Sequence, residues 1–326
     1  MPNKRLLTFM IATLFALGSC GGAKNDNDTV ADNASSTSSV QIAEKEDAAK
    51  TFLNIQYLYE QSQDELNAYA EKIGNQQDLK NNPQKLAQIE KNYAKKDEEI
   101  TAALLQKIDA LNINDPDIEA YLKLQKKGLS VSKELNNSLK KLNEIAKTKK
   151  QKPEDKDLQH FKELSNEVQK IELDLLQKQI DIDNKFAQSA PDGQLKEFYQ
   201  VTQVQDLAYQ KQIELAKNPL KMQNNTGSQE KQGKELLKSI IAVDREITKK
   251  LGQLKLKDTD VAKLRDLAID MANKKIAAAE LVSSIPVGQQ PGKELTTRLQ
   301  MAAKAAGDAS DAFIQQRYQL LGKIVQ

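Results

Sequence analysis

The chain has 326 residues, one cysteine, one histidine and no tryptophan, and its 48 Lys and Arg nearly balance 46 Asp and Glu, for a formal charge of +2. A single cysteine excludes an intramolecular disulfide framework, and one cysteine with one histidine excludes a structural zinc site. Basic residues interleaved with acids also give no electrostatic footprint for nucleic acid.

In chain order, Lys4 and Arg5 open a basic segment, and Leu6 to Leu17 form an apolar run of about a dozen residues. A membrane span needs roughly 20 apolar residues, so this run is too short to cross and suits the apolar region of an export signal. It ends in Leu17-Gly18-Ser19-Cys20, an aliphatic residue, two small residues and the only cysteine. This tetrad resembles the lipobox of bacterial lipoproteins. The resemblance implies a thioether-linked diacylglycerol on Cys20, cleavage between Ser19 and Cys20 by lipoprotein signal peptidase, and acylation of the new amino group by a chain such as palmitate. Residues 1–19 are then a signal peptide. Their loss removes Lys4 and Arg5 and no acid, leaving 46 basic against 46 acidic residues and a formal charge of 0. Several acyl chains on one residue exceed the marginal binding of a single chain. The resemblance also implies, through Gly21 rather than Asp after the cysteine, an outer-membrane destination in a host with two membranes.

Residues 20–43 are the expected lipidated Cys20 followed by "GGAKNDNDTVADNASSTSSVQIA" (21–43), rich in Gly, Asn, Asp, Ser and Thr. Without periodic apolar residues to offset ordering, this stretch is expected to be a disordered linker. Its length allows about 75 to 80 Å fully extended and roughly 25 to 30 Å as a coil.

From residue 44 onward the periodicity is helical. Phe52, Ile55, Tyr59, Ser62, Leu66, Tyr69 and Ile73 alternate spacings of 3 and 4, as do Leu158, Phe161, Leu164, Val168, Ile171 and Leu175, and Leu295, Leu299, Ala302, Ala306, Ala309 and Phe313. Breakers stand at Asn81-Asn82-Pro83, Asn114-Asp115-Pro116, Pro153, "SAPDG" (189–193), Asn218-Pro219 to Gly227, Lys257-Asp258 and "IPVGQQPG" (285–292). They divide the body into about eight helices, each about 35 to 50 Å long at 1.5 Å per residue. The expected fold class is all-α: long antiparallel helices joined by short loops.

An internal repeat crosses this layout. "LNINDPDIEAYLKL" (111–124) aligns with "LKLKDTDVAKLRDL" (254–267) at an offset of 143, "DEEIT" (97–101) with "DREIT" (244–248) at 147, and Phe52-Leu53 with Phe198-Tyr199 at 146. The four-residue slip is close to one helical turn and preserves the inward face. The repeat suggests two tandem four-helix bundles, residues 44–188 and 192–326, the second a duplicate of the first. Each is large enough to bury its own core, and one continuous elongated bundle is the alternative.

Candidate chemistry is sparse. His160 stands in a Lys-, Glu- and Gln-rich helix, with no nucleophile-elbow pattern near any serine. Asp157 and His160 have the spacing of a di-iron bundle ligand pair, but that site needs a second histidine. Asp174, Asp181 and Asp183 would have to meet on one face to hold a weak calcium, and a solvated face is expected instead. The basic run "KTKKQKPEDK" (147–156) contains Pro153 and is expected to be an interhelical turn. Eight tyrosines leave carbohydrate contact open. No catalytic residue, metal ligand or cofactor site is assigned. The expected protein is non-enzymatic: attached to membrane through lipid on Cys20, it binds or scaffolds an envelope protein or a wall polymer, not nucleic acid. An envelope enzyme or enzyme accessory built from scattered carboxylates, Lys and Tyr is the alternative.

Overall fold

The computed structural model describes residues 39–74, 83–148, 154–217 and 229–326. They form eight helices: α1 Ser39–Gly74, α2 Pro83–Asp109, α3 Pro116–Thr148, α4 Asp155–Ser189, α5 Gln194–Lys217, α6 Gln229–Gln253, α7 Thr259–Ser283 and α8 Lys293–Val325. No strand occurs among the described residues. Pro83 and Pro116 open α2 and α3, where a missing N–H costs nothing and the fixed φ suits the first helical position. Gly193, at φ +138°, makes the reversal between α4 and α5 that an L side chain resists.

The first helix begins earlier than expected. Ser39 to Ala43 are helical, so five residues assigned to the linker belong to α1, and residues 1–38 lie outside the described residues. The serine-rich run before Val40 reads as linker by composition, yet serine is also a preferred residue at helix starts.

Each helix contributes to one core. Phe52 of α1, Ile108 of α2, Ile118 of α3, Phe186 of α4, Tyr199 of α5, Leu251 of α6, Leu264 of α7 and Leu320 of α8 are all essentially solvent-free and belong to the same cluster. These residues come from the first two turns of α3, α5 and α7, from the first half of α1, and from the last two turns of α2, α4, α6 and α8. The helices therefore run alternately toward and away from one shared end, and successive helices are antiparallel. α3 to α8 pack in chain order, α1 packs on α2, and α8 closes on α1. Toward the opposite end the layers thin to pairs: Val131 with Leu164 and Ile171 between α3 and α4, and Leu237 and Ile241 with Ile276 and Ala279 between α6 and α7. Leu158, the first member of the apolar stripe in α4, lies in this thin region and stays exposed.

The sequence repeat has a geometric counterpart. Asp115 Oδ1 accepts from the backbone N–H groups of Asp117 and Ile118 at 3.0 and 3.3 Å, and Asp258 Oδ1 accepts from Asp260 and Val261, both at 2.9 Å. Both acids cap a helix N-terminus. Lys185 then donates to Asp117 Oδ2 at 2.6 Å, and Lys323 donates to Asp260 Oδ2 at 2.7 Å. The two lysines begin "KFAQ" (185–188) and "KIVQ" (323–326), a further correspondence at an offset of 138.

Segments 44–188 and 192–326 both contribute residues to this one cluster. Tyr199 of α5 donates its hydroxyl hydrogen to the Ala49 carbonyl of α1 at 2.7 Å, from the middle of the cluster. A fragment of residues 192–326 would expose Phe198, Tyr199 and Leu320 to water. It is expected to bind a hydrophobic dye and to unfold over a broad range, against a sharp transition for residues 39–326. An equally sharp, dye-free transition for the fragment would contradict the shared core.

Candidate functional site

The lipobox residues Leu17, Gly18, Ser19 and Cys20 lie outside the described residues. Of the other residues singled out in the sequence, His160 and Asp174 are exposed on α4, and so is Asp181, whereas Asp183 is 1% exposed. The three aspartates therefore do not share a face: Asp183 follows the buried Ile182 and points inward with it. Among the described residues, no three His, Cys, Asp or Glu side chains converge as a metal site.

Asp183 sits at the contact of α4 with α5, where a ladder of amide side chains fixes the register. Gln210 donates to Gln177 Oε1 at 2.6 Å, Gln179 donates to both Asp206 oxygens at 3.2 and 3.4 Å, and Gln203 donates to Asn184. Antiparallel pairing between these rungs brings Asp183 opposite Thr202 and Asp206. The Thr202 hydroxyl is committed to the Tyr199 carbonyl at 3.2 Å, and neither oxygen of a charged Asp183 has a donor. Its neighbour is the second carboxyl, Asp206, also buried.

Burial pushes Asp183 well above the ordinary carboxyl range, and the charge of Asp206 adds to the shift; proximity to the Thr202 hydroxyl acts the other way. Burial also raises Asp206, against the hydrogen bonds from Asp183 and Gln179. Around the pair stand tyrosines: Tyr121 of α3 and Tyr59 of α1 are raised by burial, as is Tyr199, and Tyr209 is pushed up to about 12 for the same reason. All four stay neutral at neutral pH. Further along, burial draws Lys275 of α7 down while Asp244 of α6 opposes it. With both carboxyls closed to solvent, this seam can bind a proton but offers no opening to a substrate.

A second polar contact joins α1 to α8. The Arg317 guanidinium forms an ion pair with Glu60 and donates to Gln56 Oε1 at 2.6 Å. Loss of hydration pulls Arg317 down to about 10, so it remains cationic at neutral pH. Beside it Tyr57 and Tyr318 stack with centroids 5.0 Å apart, and Gly322 admits the Tyr57 ring: a Cβ there would stand 3.3 Å from the Tyr57 hydroxyl.

The described residues also form an open groove of about 380 Å³ where α2 meets α3. Ile108, Leu111, Ile113 and Leu122 make its apolar floor, and Asp109, Glu119, Lys123 and Lys126 its rim. Lys126 is paired with Asp109 at 2.6 Å. The volume is at the low end of the range for small-molecule sites.

Sequence reading missed Asp206 and Arg317. A signal existed for the first: Phe198, Thr202, Asp206 and Tyr209 follow one another at helical spacing, which places the acid on the face that Phe198 buries. Arg317 carried a similar one, four residues after Phe313 on the apolar stripe of α8.

No family model, curated protein or solved structure matches this chain.

Arg317 and Glu60 are each about a quarter exposed or less. Arg317→Met keeps the aliphatic stem and leaves Glu60 and Gln56 without their cation. It is expected to lower unfolding free energy by about 2 to 3 kcal/mol, in the range for hydrogen bonds to charged groups. Urea unfolding checks this, and a loss below about 0.5 kcal/mol would place the contact with ordinary surface ion pairs.

Proposed function

We propose that this chain is a lipid-anchored protein of a bacterial cell envelope whose helical body binds or scaffolds a partner without catalysing a reaction. The observation that carries the reading is the run from Lys4 to Cys20, basic, then apolar for about a dozen residues, then Leu-Gly-Ser-Cys with the only cysteine in the chain. Gly21 favours the outer membrane. Eighteen residues separate Cys20 from Ser39, enough to span about 60 Å when extended. α1 then runs ten residues, about 15 Å, before Ala49 enters the core. A body held this way reaches partners beyond the lipid headgroups.

The surface suits protein or wall polymer better than nucleic acid. Interhelical pairs such as Lys96 with Glu65, Lys127 with Glu167 and Arg245 with Glu280 alternate the sign of charge, and no basic stripe results among the described residues. Exposed pairs of this kind contribute little stability, typically below about 1 kcal/mol each, so their yield is a mixed, solvated exterior. The paired caps Asp115 and Asp258, and the paired bridges from Lys185 and Lys323, favour descent of the two halves from one duplicated four-helix unit. A duplicated body presents related surfaces twice, a common basis for bivalent binding.

Replacing Cys20 by Ala tests the anchor. In bacteria fed a labelled fatty acid, the Cys20→Ala chain is expected to carry no label and to accumulate as uncleaved precursor. Label retained on the variant would refute lipidation at Cys20.

A further inference from the structure

Asp183 and Asp206 stand where the two related halves join, Asp183 on the last helix of one and Asp206 on the first helix of the other. The rungs Gln177–Gln210, Gln179–Asp206 and Asn184–Gln203 hold α4 against α5, and between them the two carboxyls are neighbours, both buried from solvent. If both were charged, neither Asp183 oxygen would have a donor. One proton removes both difficulties, since a protonated carboxyl donates to its neighbour and cancels one charge. We propose that Asp183 and Asp206 hold a single proton between them, and that this proton clamps the joint between the two halves of the body.

Other groups around the pair leave the proton to it. Tyr121 from α3 faces it as a neutral phenol, and behind Tyr121 stands Tyr59 from α1, its hydroxyl buried without a partner. On α5, Tyr199 gives its hydrogen to Ala49 and Tyr209 lies one turn beyond Asp206; Asp244 of α6 faces Tyr209, and Lys275 of α7 faces Asp244. On α4 itself Lys185 follows Asp183 by two residues, and its ammonium is held by Asp115 and Asp117 at 2.7 and 2.6 Å. Among the described residues no cation is directed at the pair, so the charge left by removing its last proton would stay uncompensated in the joint.

Stability then depends on pH with a definite sign. The unfolded chain releases both protons near the ordinary carboxyl value of 3.8, and the folded pair keeps one to higher pH. Between those points the folded state binds more protons than the unfolded state, so raising the pH destabilises it, about tenfold in the unfolding constant per pH unit per proton. Salt-bridged acids such as Glu246, held down at about 2 by Lys211 and Lys250, act in the opposite direction and only in acid.

Urea unfolding of residues 39–326 at pH 5, 6, 7 and 8 tests the clamp on wild type, Asp183→Asn and Asp206→Asn. From pH 5 to 8 the wild-type unfolding constant is expected to rise at least tenfold more than that of Asp183→Asn, whose amide donates to Asp206 without titrating. Asp206→Asn gives the same readout from the other side. Parallel pH dependences for wild type and a folded variant would overturn the proposal. If neither variant folds, hydrogen exchange on wild type decides: protection of residues 177–210, corrected for intrinsic rates, is expected to fall from pH 5 to 8 relative to residues 237–279. Equal change in both segments would overturn it. None of these outcomes depends on lipid at Cys20.

Discussion

Burial of Phe52, Phe186, Phe198 and Tyr199 in one place is the constraint on which the remaining structure depends. A large apolar side chain gains about 1.5 to 3 kcal/mol on leaving water, and these four come from three helices of both halves. Phe186, Phe198 and Tyr199 lie near one end of their helices and Phe52 in the first half of α1, so the helices alternate in direction to bring these residues together. The turns that reverse the chain are then drawn into the same region. Asp115 and Asp258 cap α3 and α7 there, and the buried Glu197 accepts from the backbone N–H groups of Lys257 and Asp258 at 2.9 to 3.0 Å. At the other end no equivalent aromatic cluster exists among the described residues, and the body thins to helix pairs.

A core shared in this way has to be closed at two seams where the halves touch. At α1 and α8 the closure is an ion pair beside a tyrosine stack, with Gly322 giving the ring room. At α4 and α5 it is a ladder of amides enclosing two acids. Apolar packing tolerates sliding by part of a turn, whereas donors and acceptors must be matched, so these polar seams fix the register that the apolar residues leave loose. The α4–α5 seam fixes it at a cost, because Asp183 has no donor unless a proton is present. Its place between residues 44–188 and 192–326 makes any change there a change in how these two segments meet.

The helix boundaries were legible because breakers act locally. Proline lacks a donor, Asn-Asp-Pro offers a cap and then a first helical residue, and Gly193 can take a positive φ, so each boundary is decided by a few adjacent residues. The start of α1 was less legible because residues 39–43 carry no breaker and only two aliphatic side chains, and composition favoured linker. That the halves share one core was hidden as well: periodicity shows which face is apolar, not which helix covers it. The same limit applies to the seams. Gln179, Asp183 and Phe186 occupy one face of α4, yet an acid on an apolar stripe reads equally as an interruption at the surface, and only the facing Thr202 and Asp206 decide the matter. The motif Leu17-Gly18-Ser19-Cys20 on which the proposed lipidation rests, by contrast, is short and contiguous, readable without any knowledge of the fold.

Scanning calorimetry on residues 39–326 tests the shared core most directly. The account predicts a single endotherm whose calorimetric and van't Hoff enthalpies agree, because no helix of one half can leave without uncovering the aromatic residues of the other. Two separable transitions, or a calorimetric enthalpy about twice the van't Hoff value, would show two independently folded bundles and contradict it.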